Sequence, residues 1–137
     1  MRAFADLYRR LDETTSTNRK IAAMADYFER TPAADAIWAI RFLIGRKPRQ
    51  VVPTRKLIAW AGEHAGISEW LFEASYDVVG DLAETITLLI PPPASVSDRP
   101  LHVWVTQDLL PLGEIDIEDR RRQVLAAWDR MDAPQRF

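Results

Sequence analysis

Apolar positions recur along this chain at the three- and four-residue spacing of helices and almost nowhere at the two-residue spacing of strands. Phe4, Leu7, Tyr8 and Leu11 predict a first short helix over residues 2–12. Ile21, Met24, Ala25 and Phe28 form the apolar stripe of a second. Its start is capped by Thr15, Ser16 or Thr17, whose hydroxyls can accept a bond from a free backbone N–H. Thr31-Pro32 ends this helix near Arg30 and begins a third, with Ile37, Trp38, Ile40, Phe42 and Leu43 as its expected buried face. Gly45 suits the left-handed conformation that closes a helix. After a loop from Arg46 to Pro53, Thr54 is the expected N-cap of a helix carrying Leu57, Ile58, Trp60 and Ala61, which Gly66 ends. Ser68 starts the next, with Leu71, Phe72, Ser75 and Tyr76 on one side and Gly80 at its close. Asp81 with Glu84 three residues on makes an Asp variant of the capping box and opens a helix over 82–90.

Pro91-Pro92-Pro93 breaks the chain, and residues 91–101 are expected to form an exposed, mobile loop. His102-Val103-Trp104-Val105 has the composition of a strand, but a lone strand in a helical chain has no partner, so a short helix over 102–110 is preferred. Asp116 caps a last helix with Ile117, Val124, Leu125, Trp128 and Met131 at helical spacing, and Ala133 and Pro134 end or interrupt it. The expected fold is all-α: one compact multi-helix domain over residues 1–137, around one core. The length of 137 residues and the apolar fraction of 47% are ordinary for such a domain.

Composition removes several classes of function. There is no Cys, so disulfides and thiolate metal sites are excluded. His64 and His102 are the only histidines, and no H-E-x-x-H pattern joins them to a metal site. His64, beside Glu63 near a helix end, reads as structural. No apolar run approaches the roughly 20 residues of a membrane span, and Asp6 and Asp12 occupy the place of a signal peptide's apolar run. A soluble, cytoplasmic protein without membrane contact is expected. Phosphate-binding glycine motifs and nucleophile elbows are missing. Asp77, Asp81 and Glu84 read as caps and surface, and the five tryptophans as packing residues.

Charge changes the picture. The chain carries a net −2, but residues 1–56 hold +6 and residues 57–137 hold −8. Within the basic part, Arg46, Lys47, Arg49, Arg55 and Lys56 crowd twelve residues that contain no acid. Segregated charge makes the local field, not the total, the guide to partners. Three helix starts also carry signals of anion binding: Thr14 to Lys20, Val52 to Lys56, and Gly80 to Thr85. Ordinary capping explains each start alone. Capping does not explain Arg19, Lys20, Arg55 and Lys56, because a helix N-terminus gains from acid and loses from base. There is little aromatic interleaving for single-strand stacking and no polar face for reading bases. The pattern favours sequence-independent, salt-sensitive contact with a duplex backbone.

These elements, taken in order, resemble a known family. TTSTNRKIAAMADYF, WAIRFLIGRKP, VPTRKLIAWAGEHAGI and VGDLAETITLLIPP, followed by LHVWVTQDLLPL and RRRQVLAAWDRMDAPQRF, are similar to the N-terminal DNA-binding domain of ATP-dependent DNA ligases, especially bacterial ones. The resemblance covers nearly the whole chain. It implies an all-helical domain that grips nicked double-stranded DNA from the minor-groove side. By motif, it places DNA contacts on Thr15, Ser16, Thr17, Asn18, Arg19 and Lys20, on Gly45, Arg46, Lys47 and Arg49, on Thr54, Arg55 and Lys56, and on Gly80 and Asp81. It implies no catalytic residue here, since no K-x-D-G adenylation motif is present. The nucleotidyltransferase and OB-fold domains, with ATP and magnesium, would belong to the full enzyme. The chain is expected to be truncated, matching roughly the first two-thirds of the family's N-terminal domain. The competing reading is a helical protein-interaction domain with an acidic face for a basic partner.

Overall fold

Helix-forming periodicity is realised from end to end in the computed structural model, which describes residues 1–46 and 48–136. Every regular element among the described residues is helical. In chain order they are α1 (Arg2–Asp12), α2 (Thr17–Arg30), α3 (Ala33–Leu43), α4 (Thr54–Ala65), α5 (Glu69–Val79), α6 (Leu82–Leu89), α7 (Leu101–Val103), α8 (Ile117–Trp128) and α9 (Ala133–Arg136). The segment preferred as helix over strand is helical: α7 widens into a π-helical turn, Trp104–Leu109, and then tightens into a 3-10 turn, Leu110–Gly113. No described helix is long and apolar enough to cross a membrane.

The buried residues fall into two clusters, not the single core expected, and the chain divides into two compact units. The first comprises residues 1–49 and 98–111. Its core is Leu7, Ala23, Tyr27, Ala39, Leu101 and Val105, with Phe4, Phe28 and Phe42 packed against it. The ring of Phe4 meets Tyr27 edge-on at 6.3 Å and lies 5.8 Å from Phe42. Two predicted faces are corrected here. On α2 Met24 and Phe28 pack on the core as predicted, but the fully inward residues are Ala23 and Tyr27, and Ile21 and Ala25 are exposed. On α3, Ala39 is fully buried, whereas Ile37 and Ile40 face outward. Small alanines let neighbouring helices approach, and the aromatic rings then fill the space that isoleucines were expected to fill.

Residues 98–102 are tied to the start of the chain. The N-terminal ammonium donates to the Arg99 carbonyl at 2.7 Å, and Arg2 pairs with Asp98 at 3.2 Å. Asp35, in the first turn of α3, accepts from the His102 N–H at 2.9 Å and from the His102 ring Nδ1 at 2.6 Å. A side chain 67 residues away thus caps α7, which begins after Pro100 without a capping side chain of its own.

The second unit comprises residues 50–97 and 112–137. Its core is Ala61, Phe72, Ile86 and Ile90, with Leu57, Tyr76 and Trp128 packed on it. Thr85 is fully buried and satisfies its hydroxyl on the Asp81 carbonyl at 2.6 Å. The Arg120 guanidinium donates to the Val51 and Ile115 carbonyls, fixing the stretch before α4. His64 is structural as expected: its Nε2 meets Asp129 at 2.9 Å. Asp116 accepts from two N–H groups of α8, which ends at Trp128. Ala133 opens a further turn rather than ending the previous helix, and Asp132 and Gln135 cap that turn reciprocally. Trp70 is not a packing residue, being 69% exposed. The proline-rich stretch is largely exposed, and its Ser97 N–H donates to the Arg130 carbonyl at 2.9 Å.

Burial opposes the ionisation of Asp35, but bonds from the His102 N–H and ring and from the Leu101 N–H outweigh it, holding the carboxyl below its ordinary value. A carboxyl held low in the fold stabilises it above the ordinary value and loses that contribution as pH falls through the folded one. Asp35→Ala is therefore expected to lower unfolding free energy by about 1–2 kcal/mol at neutral pH. Urea denaturation should show the gap between parent and variant closing as pH falls below 3.8.

Candidate nucleic-acid interface

In each unit one described helix starts with two adjacent cations, no acid in its first turn and no side-chain cap; α1 also starts uncapped, with the single cation Arg2. In the first unit the start with two cations is that of α2. Ser16 occupies the N-cap position, as the sequence allowed, but its hydroxyl makes no capping bond, and the first turn contains no acid. Its own N–H donates to the Thr14 hydroxyl at 3.2 Å. Thr15, Ser16, Thr17, Asn18 and Arg19 are exposed, and Lys20 is half-buried. Early N–H groups of α2 therefore meet solvent beside two cations.

In the second unit the corresponding start is that of α4. The sequence made Thr54 the N-cap, but Pro53 takes that place and Thr54 is the first helical residue. The reason is local: Pro53 cannot donate and has its φ fixed near the value a helix entry needs. The Thr54 hydroxyl accepts instead from the Gln50 amide at 3.3 Å. No side chain caps α4, no acid lies in its first turn, and Arg55 and Lys56 are exposed.

The basic loop follows α3. Gly45 has φ +78°, which lets the Gly45 N–H reach the Phe42 carbonyl at 3.0 Å and the Arg46 N–H reach the Arg41 carbonyl at 2.8 Å. That double closure turns the chain sharply and leaves the Arg46 side chain outside. Arg49 is exposed as well, and Lys47 lies outside the described residues. The Gly45–Arg49 loop and the α2 start belong to the first unit, and Thr54–Lys56 and Gly80-Asp81 to the second.

The fourth segment has a different character. Gly80, at φ +81°, donates its N–H to the Tyr76 carbonyl at 2.8 Å. The Asp81 carboxylate accepts from the Glu84 N–H at 2.9 Å, the cap read from the sequence, and Glu84 adds a second acid to the turn. A start already occupied by its own carboxylate repels an incoming anion.

Ion pairing separates the cations into two groups. Arg9 bonds Asp6 at 2.6 Å and Glu13 at 2.9 Å, Arg10 and Arg30 share Asp26, Arg99 meets Asp108 at 2.7 Å, and Arg121 meets Glu63 at 2.6 Å. Arg122 pairs with Asp119, and Arg136 donates to the Trp128 carbonyl. By contrast, among the described residues Arg19, Lys20, Arg46, Arg49, Arg55 and Lys56 have no carboxylate partner. Four further arginines share that property without having been singled out by sequence: Arg120 and Arg136, which donate to backbone carbonyls, Arg130, which is exposed, and Arg41, whose guanidinium lies 5.2 Å from the Trp38 ring centre. No cluster of three metal-ligating side chains occurs among the described residues.

The chemistry these groups offer is the gripping of an anion by cations and helix N–H groups. No curated protein sequence matches the chain. Residues 1–136 match the family model described as the DNA ligase N terminus, and the chain belongs to that family.

Proposed function

We propose that this chain is the DNA-gripping part of an ATP-dependent DNA ligase, holding nicked duplex by its phosphate backbone from the minor-groove side without reading sequence. One observation carries the reading. Among the described residues, the basic side chains at the α2 start, in the Gly45–Arg49 loop and at the α4 start have no carboxylate partner, while Arg9, Arg10, Arg30, Arg99, Arg121 and Arg122 are ion-paired. Cations near uncapped helix starts oppose the helix dipole, at a cost of some tenths of a kcal/mol each. A phosphate bound there reverses the sign of that term and also accepts from the open N–H groups. Family membership supports a role in a DNA ligase, with DNA and other ligase domains as partners of the full enzyme.

Under this reading the chain supplies binding and orientation, so that energy gained on the phosphates holds the ends of a nick in place. Nick sealing, with ATP and magnesium, belongs to the nucleotidyltransferase and OB-fold domains of a bacterial cytoplasmic enzyme. This chain contains no K-x-D-G lysine to adenylylate. The DNA contacts are proposed at Thr15 to Lys20, Gly45 to Arg49 and Thr54 to Lys56. Gly80 and Asp81 are left out of the charged contact because the Asp81 carboxylate would face the phosphates.

Two measurements test this. Fluorescence anisotropy with a labelled nicked duplex, repeated across salt, should show log affinity falling linearly with log salt. Changing Arg55 and Lys56 together to Gln should reduce the slope by about 2, while Arg122→Gln, which removes a paired cation, should leave it unchanged. Equal slopes for the two variants would contradict the assignment. Separately, Asp81→Ala should cost about 1 kcal/mol in urea denaturation through loss of the cap. Its affinity for duplex should stay level or rise, and a clear fall would return Asp81 to the DNA contact.

A further inference from the structure

Helices α5 and α6 leave an open apolar groove in the second unit, lined by Ala74, Val78, Val79, Leu88 and Leu89 and enclosing about 420 Å³. Val78 is 87% exposed and Leu88 65%. Val78 on α5 and Leu88 on α6 are turned to solvent, while Leu89 beside them packs on the core formed by Phe72 and Ile86. Val78 and Leu88 thus stand in water on either side of the groove, an apolar pair on neighbouring helices that a partner could cover.

The charge around the groove identifies what fits it. No Lys or Arg occurs between Lys56 and Arg99. Over that stretch α5 and α6 carry Glu69, Glu73, Asp77, Asp81 and Glu84, all exposed, and none has a cation partner among the described residues. DNA is repelled by such a surface, and a second copy of the same surface is repelled as well. An occupant must therefore bring apolar side chains for Val78 and Leu88 and positive charge for the carboxylates. We propose that the α5–α6 groove docks a basic amphipathic helix of a separate protein, lying along α5 with its apolar stripe in the groove and lysines or arginines at its flanks. The length of α5, 11 residues, gives such a helix about three turns of contact. The residues of this surface are not the unpaired cations that carry the DNA reading.

The test uses the whole chain and a labelled synthetic helix of about 18 residues built from Leu and Lys, with Leu at helical i, i+3, i+4, i+7 spacing. Controls are a scrambled peptide of identical composition and a Leu/Glu helix of the same pattern. Anisotropy should show the Leu/Lys helix binding at least tenfold more tightly than either control. Val78→Ser with Leu88→Ser, and separately Glu73→Lys with Asp77→Lys, should each weaken it at least tenfold. Unchanged thermal melting of both variants shows that the fold persists, as expected for exposed positions, and their binding to nicked duplex should not fall. Binding of the scrambled peptide at equal affinity, an undiminished affinity in the Val78/Leu88 variant, or preference for the Leu/Glu helix would overturn the proposal. Sedimentation showing self-association that the Val78 and Leu88 changes abolish would overturn it too, by making a second copy the occupant.

Discussion

Positive charge without a counter-charge is the constraint on which this account depends. Arg19 and Lys20 at the start of α2, and Arg55 and Lys56 at the start of α4, lie where the helix dipole already disfavours them, and no carboxylate offsets that cost. Acids are not scarce in the chain: twenty Asp and Glu are present, and Asp26 alone serves both Arg10 and Arg30. They are simply placed elsewhere. The same two helices lack the hydroxyl or carboxylate cap that α6 and α8 obtain from Asp81 and Asp116. Missing cap and missing acid coincide at the same helix starts, and an incoming phosphate group satisfies both deficits together.

The two units contribute to this in parallel. Each has its own core, built around Leu7 and Tyr27 in one and around Phe72 and Ile86 in the other, and each presents a helix start with two adjacent cations. The Gly45 turn adds a further cation group to the first unit, and the Arg120 bonds fix the stretch leading to α4 in the second. The groups proposed to meet a backbone are thereby placed on helices and on a closed turn, where little backbone entropy would have to be lost on binding.

Much of this was legible in the sequence where the signal is local. Gly45, Gly66 and Gly80 take positive φ at the helix ends they marked, and Asp81 and Asp116 cap the helices they preceded. An acid-free run such as Gly45 to Lys56 also shows itself in the sequence, whereas the lack of a carboxylate partner at Arg41 and Arg130 does not. Long-range pairings were not. Nothing near Asp35 points to His102, nothing near Glu63 points to Arg121, and the inward faces of α2 and α3 depend on which neighbours Ala23 and Ala39 admit. Thr54 was misplaced by one position because a hydroxyl and a proline both fit a helix entry, and only the backbone distinguishes them. The division into two cores was illegible for the same reason: it follows from contacts between residues 98–111 and the first three helices, far apart in sequence.

The most direct test of the central claim is an amide NMR titration of the chain with nicked duplex. The account predicts that the largest shifts fall on Thr17, Asn18, Arg19 and Lys20, on Arg46 and Arg49, and on Thr54, Arg55 and Lys56, with the first turn of α6 little affected. Shifts centred on α5 and α6, or none at the starts of α2 and α4 at saturating duplex, would contradict it.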